Sequence, residues 1–219
     1  MRFWRLNPAY ARLQADFGSL EAVFALQGER LTLSPHSDVI RVRRADVYYY
    51  VKRYGSNAKK KNWRRKWMRY LRRYALAFLP RPRVKAEWQN LEQFARWGIP
   101  VPEIVACGME RRLGAFYRGA LVTREIPDAI DLARLAQERD PRLQNRRWAE
   151  NVMRQVAAHA RVLHAHRFAH NDLKWRNILV DKAGKVWFID CPLGNYWFRP
   201  LLAYRQQKDI AGLDKMARQ

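Results

Sequence analysis

The chain has 219 residues, 48% of them hydrophobic, enough to bury a core in one domain or two small lobes. Its formal charge of +23 is extreme for this length and predicts attraction to polyanions: nucleic acid, anionic lipid, or a phosphorylated or acidic glycolipid. Two cysteines far apart, Cys107 and Cys191, argue against a disulfide framework or a cysteine-rich metal site and fit a reducing cytoplasm. The N-terminus lacks the apolar run of a signal peptide, and no stretch approaches ~18 uncharged apolar residues.

The charge is unevenly spread. Lys52 to Lys85 contains 14 Lys/Arg and no acid, against 29 basic and 20 acidic residues elsewhere. In chain order, the spacing predicts a short helix near Ala9–Phe17 and a strand at Leu31–Leu33. A β-rich pair follows at Val39–Arg43 and Val47–Tyr54, with Ala45 and Asp46 near its turn. In the basic segment, Trp63, Trp67, Tyr70, Leu71, Tyr74 and Phe78 share one helical stripe, with arginines on the other faces, until Pro80 and Pro82. A helix from Val84 to Trp97 stops at Gly98, and Ile99-Pro-Val-Pro reads as an extended linker. Strands are expected at Ile104–Cys107 and Ala120–Glu125, and helices at Asp131–Gln137 and Trp148–His166. Ile178–Val180 and Val186–Ile189 form a hairpin, and a final helix covers Leu201–Ala217. The order gives an α+β chain, β-rich in front and helical behind.

The sharpest signal is His170-Asn-Asp172-Leu-Lys174-Trp-Arg-Asn177, the pattern H-x-D-x-x-x-x-N, placed after a long helix and before a short strand. Thirteen residues on, a hydrophobic strand ends in Asp190. Phosphoryl transfer moves a highly charged group, so it needs positioning and charge neutralisation. Asp172 would orient an acceptor hydroxyl and take its proton. Asn177 and Asp190 offer the oxygen ligands that Mg2+ prefers. Lys174 would neutralise the moving γ-phosphoryl group of ATP, and His170 would stabilise the loop. Taken singly, each piece is ordinary: a loop turn, or a helix cap at Asp190.

These motifs resemble the kinases of bacterial lipopolysaccharide core sugars, the 3-deoxy-octulosonic acid and heptose kinases, relatives of eukaryotic-type protein kinases. The resemblance covers roughly Glu29 to Asp214. It implies a protein-kinase-like bilobal fold in a single domain. The N-lobe would span about 1–125, including the basic aromatic helix 62–79, and a minimal, mainly helical C-lobe about 126–219. It also implies that Lys52, in Tyr49-Tyr-Val-Lys52, is the strand lysine that grips the nucleotide phosphates, and that Glu87 is its helix partner. Leu121–Ile126 resembles the hinge, where the backbone of Glu125 and Ile126 would contact adenine. Arg205-Gln-Gln-Lys-Asp209-Ile-Ala matches a family stretch in which Asp209 would buttress the catalytic loop. Alternatively, Lys52 is one strand lysine among 43 basic residues, and Glu87 a solvent-facing helix residue.

Three features depart from the pattern. No glycine-rich loop covers the phosphates; the candidate turn is Ser34-Pro-His-Ser-Asp38. Asp190 sits in Asp-Cys-Pro-Leu-Gly rather than Asp-Phe-Gly, where proline disfavours a mobile activation segment. Only 29 residues follow Asp190.

The resulting expectation is an ATP- and Mg2+-dependent kinase acting on a sugar hydroxyl of lipopolysaccharide core or a related anionic glycolipid. It would be cytoplasmic, with peripheral contact to an anionic inner-membrane face through the basic helix; that helix serves equally as packing for the front lobe. A protein or small-molecule kinase, and a pseudokinase or polyanion-binding protein, are the rival readings. No specific nucleic acid is expected, since no recognition motif accompanies the charge.

Overall fold

The computed structural model describes residues 1–33, 37–55, 82–112, 115–191 and 199–217. The chain divides into two compact units: Met1–Lys85 with Ile104–Arg124, and Ala86–Glu103 with Glu125–Gln219.

The first unit is built on a six-stranded antiparallel sheet. Its strands are β1 (Arg2–Leu6), β2 (Glu29–Leu33), β3 (Ser37–Arg44), β4 (Val47–Gly55), β5 (Ile104–Arg112) and β6 (Ala115–Arg124), in the order β1-β5-β6-β4-β3-β2. The β3–β4 hairpin closes on two residues, with Arg44 opposite Val47. Ala45 and Asp46 between them have φ of 46° and 61°, the positive pair that a tight primed turn requires. Alternation then sends Ile40, Val42, Tyr49 and Val51 to one face. There they meet Tyr10, Phe17, Leu20 and Val23 from the N-terminal segment, with Val105, Ala106, Ala120 and Val122, in one buried cluster. Val39, Arg41, Tyr50 and Lys52 take the alternate positions.

The expected helix at Ala9–Phe17 is instead a 3-10 segment, Pro8–Leu13, followed by the single turn α1 (Gln14–Phe17). Tyr10, at φ −111° and ψ 21°, breaks the helical path. Strand β1 and helix α2 (Leu20–Ala25) add to the expected elements; Ser19 caps α2 through its hydroxyl, which accepts the N–H of Ala22 at 3.1 Å. The basic aromatic helix expected at 62–79 lies outside the described residues, as do residues 34–36 of the candidate phosphate turn.

In the second unit, helix α3 (Arg83–Arg96, in this unit from Ala86 onward) ends where Gly98 turns left-handed at φ 76°. The Ile99 N–H reaches back to the Phe94 carbonyl at 2.9 Å, the bond that closes a Schellman end. Helix α4 (Leu132–Gln137) is capped by Asp131 and α5 (Arg146–Ala165) by Asn145, each side chain accepting a first-turn N–H. The spacing of Val152, Val156, Ala160 and Leu163 buries one stripe of α5. Three short antiparallel strands, β7 (Ile130–Asp131), β8 (Ile178–Val180) and β9 (Val186–Phe188), form a second sheet. The core joins Phe94, Leu135, Leu163, Phe168, Ile178 and Phe188. Helix α6 (Arg199–Ala217) ends the described chain.

Candidate active site

The loop between α5 and β8 makes few regular backbone bonds, so its shape must be fixed by side chains. Asp209 of α6 does this. Its buried carboxylate accepts the N–H of His170 at 2.7 Å and of Asn171 at 2.8 Å. Asn171 is left-handed at φ 66°, a conformation asparagine tolerates, and its amide donates to the Ala169 carbonyl at 2.8 Å. One turn along α6, a Cβ added to Gly212 would lie 2.8 Å from the Leu173 carbonyl. The helix can approach the loop this closely only with glycine there.

His170 is fully buried, with Phe94 and Phe188 rings about it at 6.0 and 6.1 Å between centroids. Burial pushes its imidazole below the ordinary value, opposed by the Asp209, Asp172 and Asp190 carboxylates and the Ile189 carbonyl. It is a neutral packing ring, consistent with a loop-stabilising part rather than proton transfer.

The loop aims Asp172 outward and surrounds it with donors. The Asn177 amide donates to the Asp172 backbone carbonyl at 2.8 Å and to Oδ2 at 3.0 Å. Lys174 pairs with Oδ1, and the Arg176 guanidinium stands 3.7 Å from Oδ2. Burial raises the carboxyl's pKa, but the Lys174 hydrogen bond and charge, the Asn177 amide and the Arg176 charge outweigh it and hold Asp172 below the ordinary carboxylate range. The group is therefore an anion at neutral pH, oriented by Asn177 and able to receive a proton.

Asn177 and Asp190 are tied through the backbone: the N–H of Ile189, beside Asp190, donates to the Asn177 carbonyl at 3.0 Å. With the Asn177 Nδ2 committed to Asp172, its Oδ1 is the atom left to act as a ligand. Asp190 adopts φ 56°, turning the chain as it leaves β9. An amide oxygen and a carboxylate suit a hard cation that keeps its remaining positions for water and phosphate, so these residues fit Mg2+. Among the described residues, no group of three or more His, Cys, Asp or Glu is placed to hold a metal.

The segment after Asp190 is held by α3. Asn90 donates to the Cys191 carbonyl at 2.9 Å, and the Cys191 thiol lies 3.7 Å from the His170 carbonyl. Burial pushes that thiol well above its ordinary pKa, helped by the Glu87, Asp209 and Asp190 charges, so it packs as an unreactive side chain. Glu87, one turn before Asn90, is itself buried, at 4% exposure, which excludes the solvent-facing reading.

The second unit thus brings Asp172, Lys174 and Asn177 into contact and links Asp190 to them. Glu125 and Ile126 open that unit's second stretch, just after β6; Ile126 is buried and its carbonyl accepts the Ala129 N–H at 3.3 Å. Lys52 belongs to the first unit, on β4 between Val39 of β3 and Leu121 of β6. Sequence reasoning missed Asn90, Gly212 and Arg176. Of these, only Arg176 had a signal, its place inside the H-x-D-x-x-x-x-N motif.

Residues 33–218 match the family described as lipopolysaccharide kinase (Kdo/WaaP). The chain is 32% identical over 122 residues to a 3-deoxy-D-manno-octulosonic acid kinase of Haemophilus influenzae (strain 86-028NP), covering 54% of this chain and 48% of that protein. It is 29% identical over 104 residues to the corresponding kinase of Vibrio cholerae serotype O1, covering 48% and 41%. The chain thus spans about half the length of the curated relatives it matches. A solved structure of WaaP in complex with acyl carrier protein superposes with a TM-score of 0.69 at 21% identity, over 98% of this chain and 81% of that one. That likeness gives the fold as protein-kinase-like. With the family match running through most of its length, the chain belongs to the lipopolysaccharide kinase (Kdo/WaaP) family.

Proposed function

We propose that this chain is an ATP-dependent kinase that phosphorylates a sugar hydroxyl of lipopolysaccharide core or a related anionic glycolipid. The observation that carries the reading is the Asp172 carboxylate, ionised and held by Asn177 at 3.0 Å beside Lys174. Family membership and the names of the relatives support it.

In this reading Asp172 accepts the proton of the acceptor hydroxyl as its oxygen attacks the γ-phosphorus, and ADP leaves. Lys174 follows the negative charge from the carboxylate onto the phosphoryl oxygens. Asn177 keeps Asp172 pointed at the acceptor and, with Asp190, would hold Mg2+. The metal, when bound, neutralises phosphate charge. Lys52 would grip the nucleotide phosphates, Glu87 would orient that lysine, and the Glu125–Ile126 backbone would meet adenine. The whole chain would act as one kinase-like domain, with an N-lobe over about 1–125 and a C-lobe over about 126–219.

The net charge of +23 and the arginine-rich stretch 57–83 favour contact with an anionic surface, so we place the protein in the cytoplasm with peripheral attachment to the inner membrane. No helix among the described residues is long and apolar enough to cross a membrane. Co-sedimentation with phosphatidylglycerol vesicles but not phosphatidylcholine vesicles tests this; equal binding to both would sink it. The activity itself is tested by magnesium-dependent transfer of labelled phosphate from ATP to purified core. Nucleotide binding without transfer to any sugar acceptor would contradict it.

A further inference from the structure

The geometry points to Arg176 as the residue that reads a negative charge, a carboxylate, on the acceptor sugar next to the hydroxyl that Asp172 serves. The inference rests on the proposed kinase reading and deepens it by naming what the acceptor must carry.

Arg176 sits in the 3-10 turn Trp175–Asn177, between the proposed base and the proposed metal ligand. Asp172 does not need it. Oδ1 is already paired with Lys174, and Oδ2 accepts the Asn177 amide at 3.0 Å. At 3.7 Å from Oδ2 the guanidinium is beyond hydrogen-bond distance, and among the described residues it makes no hydrogen bond. Its side chain is 65% exposed, so the guanidinium, held near Asp172 by charge alone, is accessible to an acceptor beside the reacting position. Around the Asp172 carboxylate itself stand two cations, Lys174 and Arg176, while Asp190 lies on the side of the proposed metal. The acceptor side of Asp172 would therefore repel a cationic acceptor and favour an anionic one. If Lys174 turns to the γ-phosphoryl group, Arg176 is the cation that remains on the acceptor side.

A planar guanidinium fork matches an oxyanion in two-point contact, which an ammonium cannot do. A hydroxyl at hydrogen-bond distance from Asp172 Oδ2 would lie at most about 6 Å from the Arg176 nitrogen, within the breadth of one sugar ring. The charged group and the reacting hydroxyl therefore belong to the same sugar residue. A carboxylate fits better than a distant phosphate on the lipid, and the relatives named above act on an octulosonic acid, which carries one.

The test uses the methyl glycoside of 3-deoxy-D-manno-octulosonic acid and its methyl ester, which share every hydroxyl and differ by one charge. kcat/KM and, in parallel, equilibrium binding by saturation-transfer NMR are measured for the wild type, Arg176→Gln and Arg176→Lys. The wild type should prefer the acid by about tenfold to a hundredfold, the scale of one charge-assisted hydrogen-bonded contact. The preference should vanish in Arg176→Gln and survive partly in Arg176→Lys. An undiminished acid preference in Arg176→Gln overturns the assignment. If neither compound is phosphorylated, the kinase reading for this acceptor fails, while the binding ratios still decide Arg176. A hexose phosphate compared with its parent hexose separates the two anion sources: an Arg176-dependent preference for phosphate alone overturns the carboxylate assignment.

Discussion

Asp209 and His170 lie 39 residues apart, yet the Asp209 carboxylate accepts the His170 backbone N–H at 2.7 Å. Its second oxygen takes the Asn171 N–H at 2.8 Å, so one buried side chain on α6 clamps two successive amides of the loop that carries Asp172.

Asp209→Asn keeps the size but leaves only one acceptor oxygen for the two amides. Hydrogen bonds to a charged group contribute ~1.5–3 kcal/mol each, and a buried amide left unpaired costs on the same scale. The variant should unfold at lower urea and lose kcat more than it gains KM, because the loop loses its aim. Unaltered stability and turnover would remove Asp209 from the loop's support.

Gly212→Ala is the second test of that junction. Its methyl group would stand 2.8 Å from the Leu173 carbonyl, a backbone atom that cannot swing aside. Overpacking of this kind costs ~1–3 kcal/mol, although alanine alone favours a helix. Net destabilisation with reduced kcat is the expected outcome. A stabilised, fully active variant would mean that α6 and the loop are not packed as described.

His170 predicts a pH dependence of stability. Its folded pKa lies below the unfolded value of ~6.5, so on acidification the unfolded chain takes up this proton first. The contribution is complete above that value and is lost as pH falls through about 6.5 toward the folded pKa. His170→Phe cannot titrate and fills similar space among the aromatic rings. Its Tm should fall less than that of the wild type between pH 7 and pH 5. Parallel curves would mean that His170 is not buried neutral.

Much of this was legible in the sequence because the signals are local. The β3–β4 hairpin follows from β-branched and aromatic runs around Ala45 and Asp46, and α5 from the spacing of its buried stripe, by fours and then a three. The expected Asp172, Asn177 and Asp190 ended up linked, since a loop, a short strand and a hairpin leave few alternatives. Elements made by distant partners were not legible. Strand β1 pairs with β5, with Arg2 opposite Glu110, and no turn signal joins them. β7 is two residues long and exists only because β8 lies beside it. Burial of Glu87, the hold of Asn90 on Cys191 and the closeness of Gly212 to Leu173 likewise arise when α3, α6 and the loop pack together.

Kinase activity and the parts of Asp172 and Asp190 in it are tested by following labelled γ-phosphate from ATP to purified lipopolysaccharide core, with and without Mg2+, for the wild type, Asp172→Ala and Asp190→Ala. Magnesium-dependent transfer by the wild type should fall about 10²–10⁴-fold in Asp172→Ala, the scale for losing a positioned base, and Asp190→Ala should lose magnesium-dependent nucleotide binding. Transfer undiminished in both variants would contradict the account, as would a wild type that binds magnesium–ATP but labels no sugar.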